Sequence, residues 1–546
     1  MNFDTVQLKD ILLKKNYVSE DDFKLAEEYA TAHKTNVLQY FFDQEILSEE
    51  IYGQAIAEYF SVPYINPSKK RPDKDLVLRI PAAIAREFRV ILYEETPYKI
   101  TVVTDNPKNE GLLVKLKELF PRRQISVAYS STNYIDEILK FYRTSLNARF
   151  NQIIENEKRV TPTIVEEIMK DAIDYGASDI HFEPQEGDVV IRFRIDGVLK
   201  EAGRVKKFLY SNILNRIKVQ ARLRIDDHFS AQDGSIRYIV DNKRIDLRVS
   251  ILPTLDGEKI VIRILGEYVR SFGLRDLGLE PDDYEVLQKA AHRPFGMILV
   301  TGPTGSGKST TLYSILKILN EPDVNITTIE DPVEYKVIGV NQIQVSPQTN
   351  LTFAKGLRSI VRQDPDIILV GEIRDVETAE IAVNAALTGH LLLSTFHAND
   401  AATAIPRLLD MKIEPFILAS TLNVIVAQRL VRRICQNCRK SKQMTKKDLN
   451  ALFPLKADYM NDDITVYEGA GCTACNNSGY RGRIGIFEII QVTPEVQELI
   501  IKSPSSKEIW TIARKQGSKT MFEDAIKKVL AGHTTIDEIV RVIPPT

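Results

Sequence analysis

The stretch Met297-Ile-Leu-Val-Thr-Gly-Pro-Thr-Gly-Ser-Gly-Lys-Ser-Thr310 constrains this chain most, because an apolar run there breaks into Gly302-x-x-x-x-Gly307-Lys308-Ser309. Ile298 to Val300 read as a buried strand. Glycines at 302, 305 and 307 let the backbone turn so that several N–H groups converge on one anion. A helix is expected from Lys308, with its positive end facing phosphates. Its register is legible without the motif, since Leu312, Ile315, Leu316 and Leu319 recur as one apolar face. Gly302, Thr304, Gly305, Ser306, Gly307 and Thr310 then cradle a nucleotide, with Lys308 reaching the β and γ phosphates and the Ser309 hydroxyl ligating magnesium.

One nucleotide domain does not account for 546 residues; at roughly 100–200 residues per domain, three or four are expected. Lys plus Arg (72) nearly balance Asp plus Glu (74), which gives no reason to expect a nucleic-acid coat or an anionic membrane as main partner. The longest uncharged run, Ile381 to Asn399, is broken by Asn384, Thr388, Gly389, His390, Ser394 and His397, and reads as a buried helix and strand rather than a membrane span. The amino terminus lacks the pattern of a signal peptide, and a cytoplasmic protein is expected.

Taken in order, residues 1–62 read as a helical module, with a Ser19-x-x-Asp22 capping signal and Ser48-Glu-Glu before Ile51, Ala55, Ile56 and Tyr59. Residues 63–148 alternate short strands with helical stretches, a small α/β domain, and the polar residues 149–162 are the candidate linker. Residues 163–268 form an α+β middle domain. Its Asp196-Gly197 is a strong hairpin signal, a second Asp233-Gly234 sits between similar runs, and a third turn is expected around Asp256-Gly257. From 269 to 546 apolar strands at 297–300, 326–329, 367–370 and 391–394 are separated by helices, which implies a parallel sheet covered on both faces. The last part, 493–546, is helical.

Ile367-Ile-Leu-Val-Gly-Glu372 ends an apolar strand in an acid that can hold magnesium through water or orient the attacking water. Glu330, Asp331 and Glu334 end another strand; beside a triphosphate such a cluster makes sense around a metal, or else it is a solvated acidic turn. His390 and His397 flank the fourth strand, as structural residues or as sensors of the γ-phosphate. Arg248 and Arg263 belong either to a solvated basic sheet face or to a set of arginine fingers delivered to the transferred phosphoryl group. Cys435-x-x-Cys438 and Cys472-x-x-Cys475 account for all four cysteines and match structural zinc, within a module spanning 432–483, with disulfides the alternative.

The phosphate loop, Ile-Glu-Asp-Pro-Val-Glu334, Val-Gly-Glu372-Ile-Arg-Asp, Thr-Gly-His390-Leu-Leu-Leu-Ser-Thr-Phe-His397, the double CxxC and Ser178-Asp-Ile-His-Phe-Glu183 resemble the type II secretion and type IV pilus assembly ATPases. The resemblance implies a PAS-like middle domain, a RecA-like P-loop ATPase domain and a homo-hexameric ring at the cytoplasmic face of the inner membrane, where ATP hydrolysis turns a platform protein that adds pilin to a fibre. Glu334 falls in the family's aspartate box, Glu372 in Walker B, His390 and His397 in the histidine box, and Arg248 and Arg263 on its phosphate-contacting arginines. Either glutamate could activate water, with Glu372 favoured. The double CxxC and long amino-terminal extension resemble assembly motors rather than retraction motors; a secretion pseudopilus or DNA-uptake fibre is the neighbouring possibility. The amino-terminal docking domain binds cyclic di-GMP in some members through Arg-Leu-Gly, where this chain has Gln7-Leu-Lys-Asp. A different class, a RecA-like nucleic-acid translocase, would use Arg432, Arg433, Arg439 and Lys440 beside the first cysteine pair.

Overall fold

A computed structural model describes residues 3–33, 36–44, 46–67, 72–142, 162–240, 243–265, 273–445, 447–448, 464–472, 475 and 478–543. Residues 149–161 of the candidate linker and 449–463 of the cysteine module lie outside these. The chain divides into two compact units, Met1–Phe3 with Glu49–Arg270, and Asp4–Ser48 with Ser271–Thr546.

In the first unit, helix Glu49–Phe60 precedes a three-stranded sheet of Val90–Glu95, Lys99–Thr104 and Gln124–Tyr129. The middle domain follows as a six-stranded antiparallel sheet, backed on one face by helices Pro162–Asp174 and Lys207–Gln220. Ile180, Phe182, Ile191 and Phe193 alternate inward to meet Ile168, Ile213 and Ile217 from those helices. Asp196 and Gly197 both have positive φ, 49° and 83°, which is the turn the dipeptide favours between Asp188–Ile195 and Val198–Lys206. Asp233-Gly234 does something else. It lies within the strand Gln232–Val240, facing Ser250 and Val249, and is not a turn. A Cβ on Gly234 would stand 2.5 Å from the Ala221 carbonyl, so close backbone approach explains this glycine.

In the second unit, short amino-terminal helices include Glu20–His33, whose start is closed by Ser19 and Asp22, each backbone N–H donating to the other's side chain at 3.3 and 3.0 Å. The large sheet has seven strands in the order Asn341–Gln344, Ile326–Glu330, Ile367–Val370, Leu391–Phe396, Gly296–Thr301, Leu422–Ile434, Tyr480–Gln491. Met297 and Leu299 pack into one core and Ile298 and Val300 into another, so both faces are covered. All neighbours are parallel except the last pair, where Leu422–Ile434 runs antiparallel to Tyr480–Gln491. The expected parallel sheet therefore reverses at one edge, where the connection carries its own two-stranded sheet, Arg439–Met444 with Ile464–Gly469.

Helices Pro494–Ile501, Ser506–Lys515, Met521–Leu530 and Ile536–Val542 complete the unit. The last is tied to the sheet by Glu538, 1% exposed, which accepts from the Arg432 guanidinium at 2.7 and 3.0 Å, the Arg432 N–H at 2.8 Å and Arg541 at 2.7 and 2.9 Å. Burial opposes the charge, but Arg541 and Arg432 outweigh it and hold the carboxyl at about 2. A depressed carboxyl contributes stability above its unfolded value near 4.5, lost as pH falls toward 2. Glu538→Gln should cost about 3 kcal/mol at pH 7 and remove that acid limb, read as faster amide exchange in 536–542. Equal exchange in both proteins at pH 7 would contradict it. Among the described residues no helix is long and apolar enough to cross a membrane.

Candidate active site

The strand Gly296–Thr301 delivers the chain into a loop whose Gly302, Gly305 and Gly307 have φ of 146°, 78° and 90°, and helix Lys308–Leu319 begins directly after it. At Gly302 the demand is steric as well: a Cβ would lie 2.6 Å from the Gln428 carbonyl. Lys308 Nζ bridges the loop, donating to the Gly302 and Pro303 carbonyls at 2.8 and 3.2 Å. Burial lowers the Lys308 amine from its usual value and Arg429 adds to this, while Glu372 opposes both. Thr304, Gly305 and Ser309 are exposed and Thr310 is half-buried, so the rim of the loop is open to an anion. The neighbouring strand braces it: Gln428 Nε2 donates to the Ser306 carbonyl at 2.7 Å and its Oε1 accepts from Thr311 at 2.7 Å.

Glu372 follows the strand Ile367–Val370 with its side chain 13% exposed. It is held by Arg374 at 2.6 Å and by His397 Nε2 at 3.2 Å. His397 stands just beyond the end of Leu391–Phe396, half exposed. This carboxylate, imidazole and lysine share one pocket of charge, an arrangement that can orient water beside a phosphate. His390 is placed differently. Its Nδ1 lies 2.9 Å from the Ala385 carbonyl at the end of helix Val376–Leu387, which is the structural alternative for that histidine.

The three acids at the end of Ile326–Glu330 and in the turn beyond it are placed differently. Glu330 is 4% exposed and turned into the core, where the Tyr313 and Thr328 hydroxyls and the Gln342 amide donate to it. Burial raises its carboxyl despite those donors. Asp331 is exposed, Glu334 is half-buried, and the Glu334 N–H donates to the Tyr313 hydroxyl at 3.4 Å. Among the described residues only the four cysteines bring three or more His, Cys, Asp or Glu ligand atoms within 4.8 Å of one another. In the other unit, Arg248 and Arg263 face each other across adjacent strands, with Arg263 Nε donating to Asp179 at 3.0 Å.

Cys435, Cys438, Cys472 and Cys475 are free thiols. The Sγ atoms of 435 and 472, 438 and 475, and 472 and 475 are 3.8, 3.9 and 3.8 Å apart. Four thiolates at about 2.3 Å around a tetrahedral ion stand roughly 3.8 Å from one another, whereas a disulfide needs about 2.05 Å. The donor set fits zinc. Burial opposes ionisation of Cys475, but N–H groups of Cys472 and Gly479, each 3.2 Å from its Sγ, help draw it down to about 7. Of the nearby cations, the partly buried Arg432 lies 3.9 Å over Tyr480 and binds Glu538, and the exposed Arg439 lies 4.7 Å over Tyr467.

Arg374, which lies in the quoted Val-Gly-Glu372-Ile-Arg-Asp stretch with no role assigned to it there, joins the site, as do Gln428 and Arg429, which no motif marked. For the last two a signal existed: a polar pair inside the apolar strand Leu422–Ile434 requires partners there.

Residues 154–541 match the family described as "Type II/IV secretion system protein", and residues 60–145 match the MshEN domain. The chain is 38% identical to the Myxococcus xanthus type IV pilus assembly ATPase PilB over 98% of each chain. It is 37% identical to the Thermus thermophilus protein of that name over 90% of this chain, and spans 57% of that longer relative. Identity is 46% to the type II secretion system protein E of Dickeya dadantii, over 69% of this chain and 75% of that one. The X-ray structure of the Legionella pneumophila ATPase DotB superposes with a TM-score of 0.53 at 21% identity, covering 70% of this chain and 96% of that chain, a likeness of fold.

Proposed function

Because the chain belongs to the type II/IV secretion system protein family and is one of its ATPases, we propose that it is the ATP-driven motor that assembles a type IV pilus. The observation that carries this reading is the likeness along nearly the whole chain to a type IV pilus assembly ATPase, including the amino-terminal part as well as the nucleotide domain. ATP would lie with its phosphates on residues 302–310, Lys308 against the β and γ phosphates and Ser309 on magnesium. Glu372 would orient the attacking water, with His397 holding it and Glu334 an outer contributor; Arg248 and Arg263 would come from the middle domain, 163–268, of a neighbouring subunit in a hexamer. Zinc on Cys435, Cys438, Cys472 and Cys475 would be structural, since four thiolates leave no open position. The working site is then cytoplasmic, against an inner-membrane platform protein, with membrane attachment through partners.

A second reading, the same engine driving a type II secretion pseudopilus, is supported by the higher identity, 46% over 69% of this chain, to the Dickeya dadantii protein. One experiment separates the two. With Lys308→Ala in the chromosomal copy of the native host, surface pili counted by electron microscopy should disappear while secreted proteins stay at normal levels. Normal pilus numbers with a depleted set of secreted proteins would replace the first reading by the second.

A further inference from the structure

The strand Tyr480–Gln491 carries an acid where its pattern calls for an apolar residue. Ile486 and Ile490 belong to one core of the large sheet, and Glu488 lies between them on the same side, 7% exposed. A carboxylate in such a place is costly unless hydrogen bonds satisfy it. Its Oε1 accepts from the Ala401 N–H at 2.9 Å and its Oε2 from the Met521 N–H at 3.3 Å. Ala401 and Met521 each begin a helix, Ala401–Asp410 and Met521–Leu530, so two positive helix ends converge on one carboxyl. Burial pushes that carboxyl up to about 7 and Asp400 adds to this, while the two N–H groups and Arg429 oppose the rise.

The Met521 contact joins two parts of the scaffold. The Ala401 contact reaches the active site, because residues 397–400 connect the strand Leu391–Phe396 to that helix. This connection is clamped along its length. Arg407 donates to the His397 carbonyl, Arg429 Nη2 to the Asn399 carbonyl at 2.9 Å, and Ala401 is fixed by Glu488. At its front end His397 touches Glu372. Glu488 also stands opposite Ala427, next to the Gln428 that braces the phosphate loop.

We propose that Glu488 is a positioning residue, which fixes the 397–401 connection from inside the core and thereby holds His397 on Glu372. The inference rests on the reading of Glu372 as the group that orients water. Glu488→Gln keeps one acceptor but turns an amide NH₂ toward the other N–H. Glu488→Met keeps the length with no acceptor and leaves the Ala401 and Met521 N–H groups unpaired. Both are made in the full chain, with folding checked by thermal unfolding and by nucleotide affinity.

In the folded variant kcat should fall about tenfold with KM for ATP and nucleotide Kd within about twofold, the signature of a displaced group rather than a lost binding contact. The deciding measurement is the combination with His397→Ala: if Glu488 acts through His397, the double variant is no slower than His397→Ala alone. Rate losses that multiply, a loss shared equally between KM and kcat, or a His397→Ala enzyme with wild-type turnover would each overturn the proposal. Failure of the underlying reading looks different, as undiminished turnover in Glu372→Gln.

Discussion

Glu372→Gln should bind ATP as the unaltered protein does and hydrolyse it at least about a hundredfold more slowly, within the usual range for loss of a positioned acid–base group. Binding survives because groups other than Glu372 hold the phosphate loop: Lys308 Nζ on the Gly302 and Pro303 carbonyls, the bracing amide of Gln428 and the glycine turns, while Glu372 acts on Lys308 through its charge. Turnover is lost because a neutral amide replaces the carboxylate held between Arg374 and His397. Glu334→Gln serves as the comparison, since Glu334 stands with the Tyr313 and Glu330 group rather than with His397. It should cost less than about tenfold. Single-turnover hydrolysis together with fluorescent-nucleotide binding separates the two effects. If Glu334→Gln proved the dead enzyme and Glu372→Gln the active one, the assignment of roles would have to be exchanged.

Which of these features the sequence could disclose depends on how local their causes are. The phosphate loop was legible because strand, glycine turn and helical face follow each other within one short stretch, and each has its own periodicity. The reversed edge of the sheet was not, because Leu422–Ile434 meets Tyr480–Gln491 only across an intervening module and an apolar run carries no sign of its direction. Glu330 and Glu372 illustrate a second limit. Both follow apolar strands, and what separates them is Tyr313, which reaches from the phosphate-loop helix to engage Glu330 and leaves Glu372 to face Arg374 and His397. Asp233-Gly234 shows a local turn signal overridden by packing against Ala221. Gln428, Arg429 and Glu488 could have been marked as polar residues in buried strands, but their partners in the loops at 306 and 397–401 arise only from the tertiary fold.

Removal of metal from the cysteine module should loosen the outer ends of two sheet strands while leaving the phosphate loop formed. Protein purified without added zinc is expected to hold one equivalent per chain, and Cys472→Ser to hold far less. The reason for a stability effect is geometric. Cys435 directly follows the strand Leu422–Ile434, its N–H donates to the Gly479 carbonyl at 2.9 Å, and Tyr480 begins the partner strand, so the thiolate cluster closes the end of that pair. Across the pair Ile434 faces Tyr480 and Arg432 faces Arg483, and Arg432 in turn carries the Glu538 contact that ties down the last helix. Apparent zinc binding in such sites is about 10–16 kcal/mol, far above the contribution of any single hydrogen bond in the module. A chelator should therefore speed amide exchange at 431–435, 480–484 and 536–542 and lower the thermal midpoint, and zinc should restore both. Exchange at 298–310 should change little, since that segment is braced by Gln428, further along the strand from the cysteines. Less than about a tenth of an equivalent of metal, with exchange in Cys472→Ser equal to that of the unaltered chain, would mean that the four thiols hold this edge without an ion.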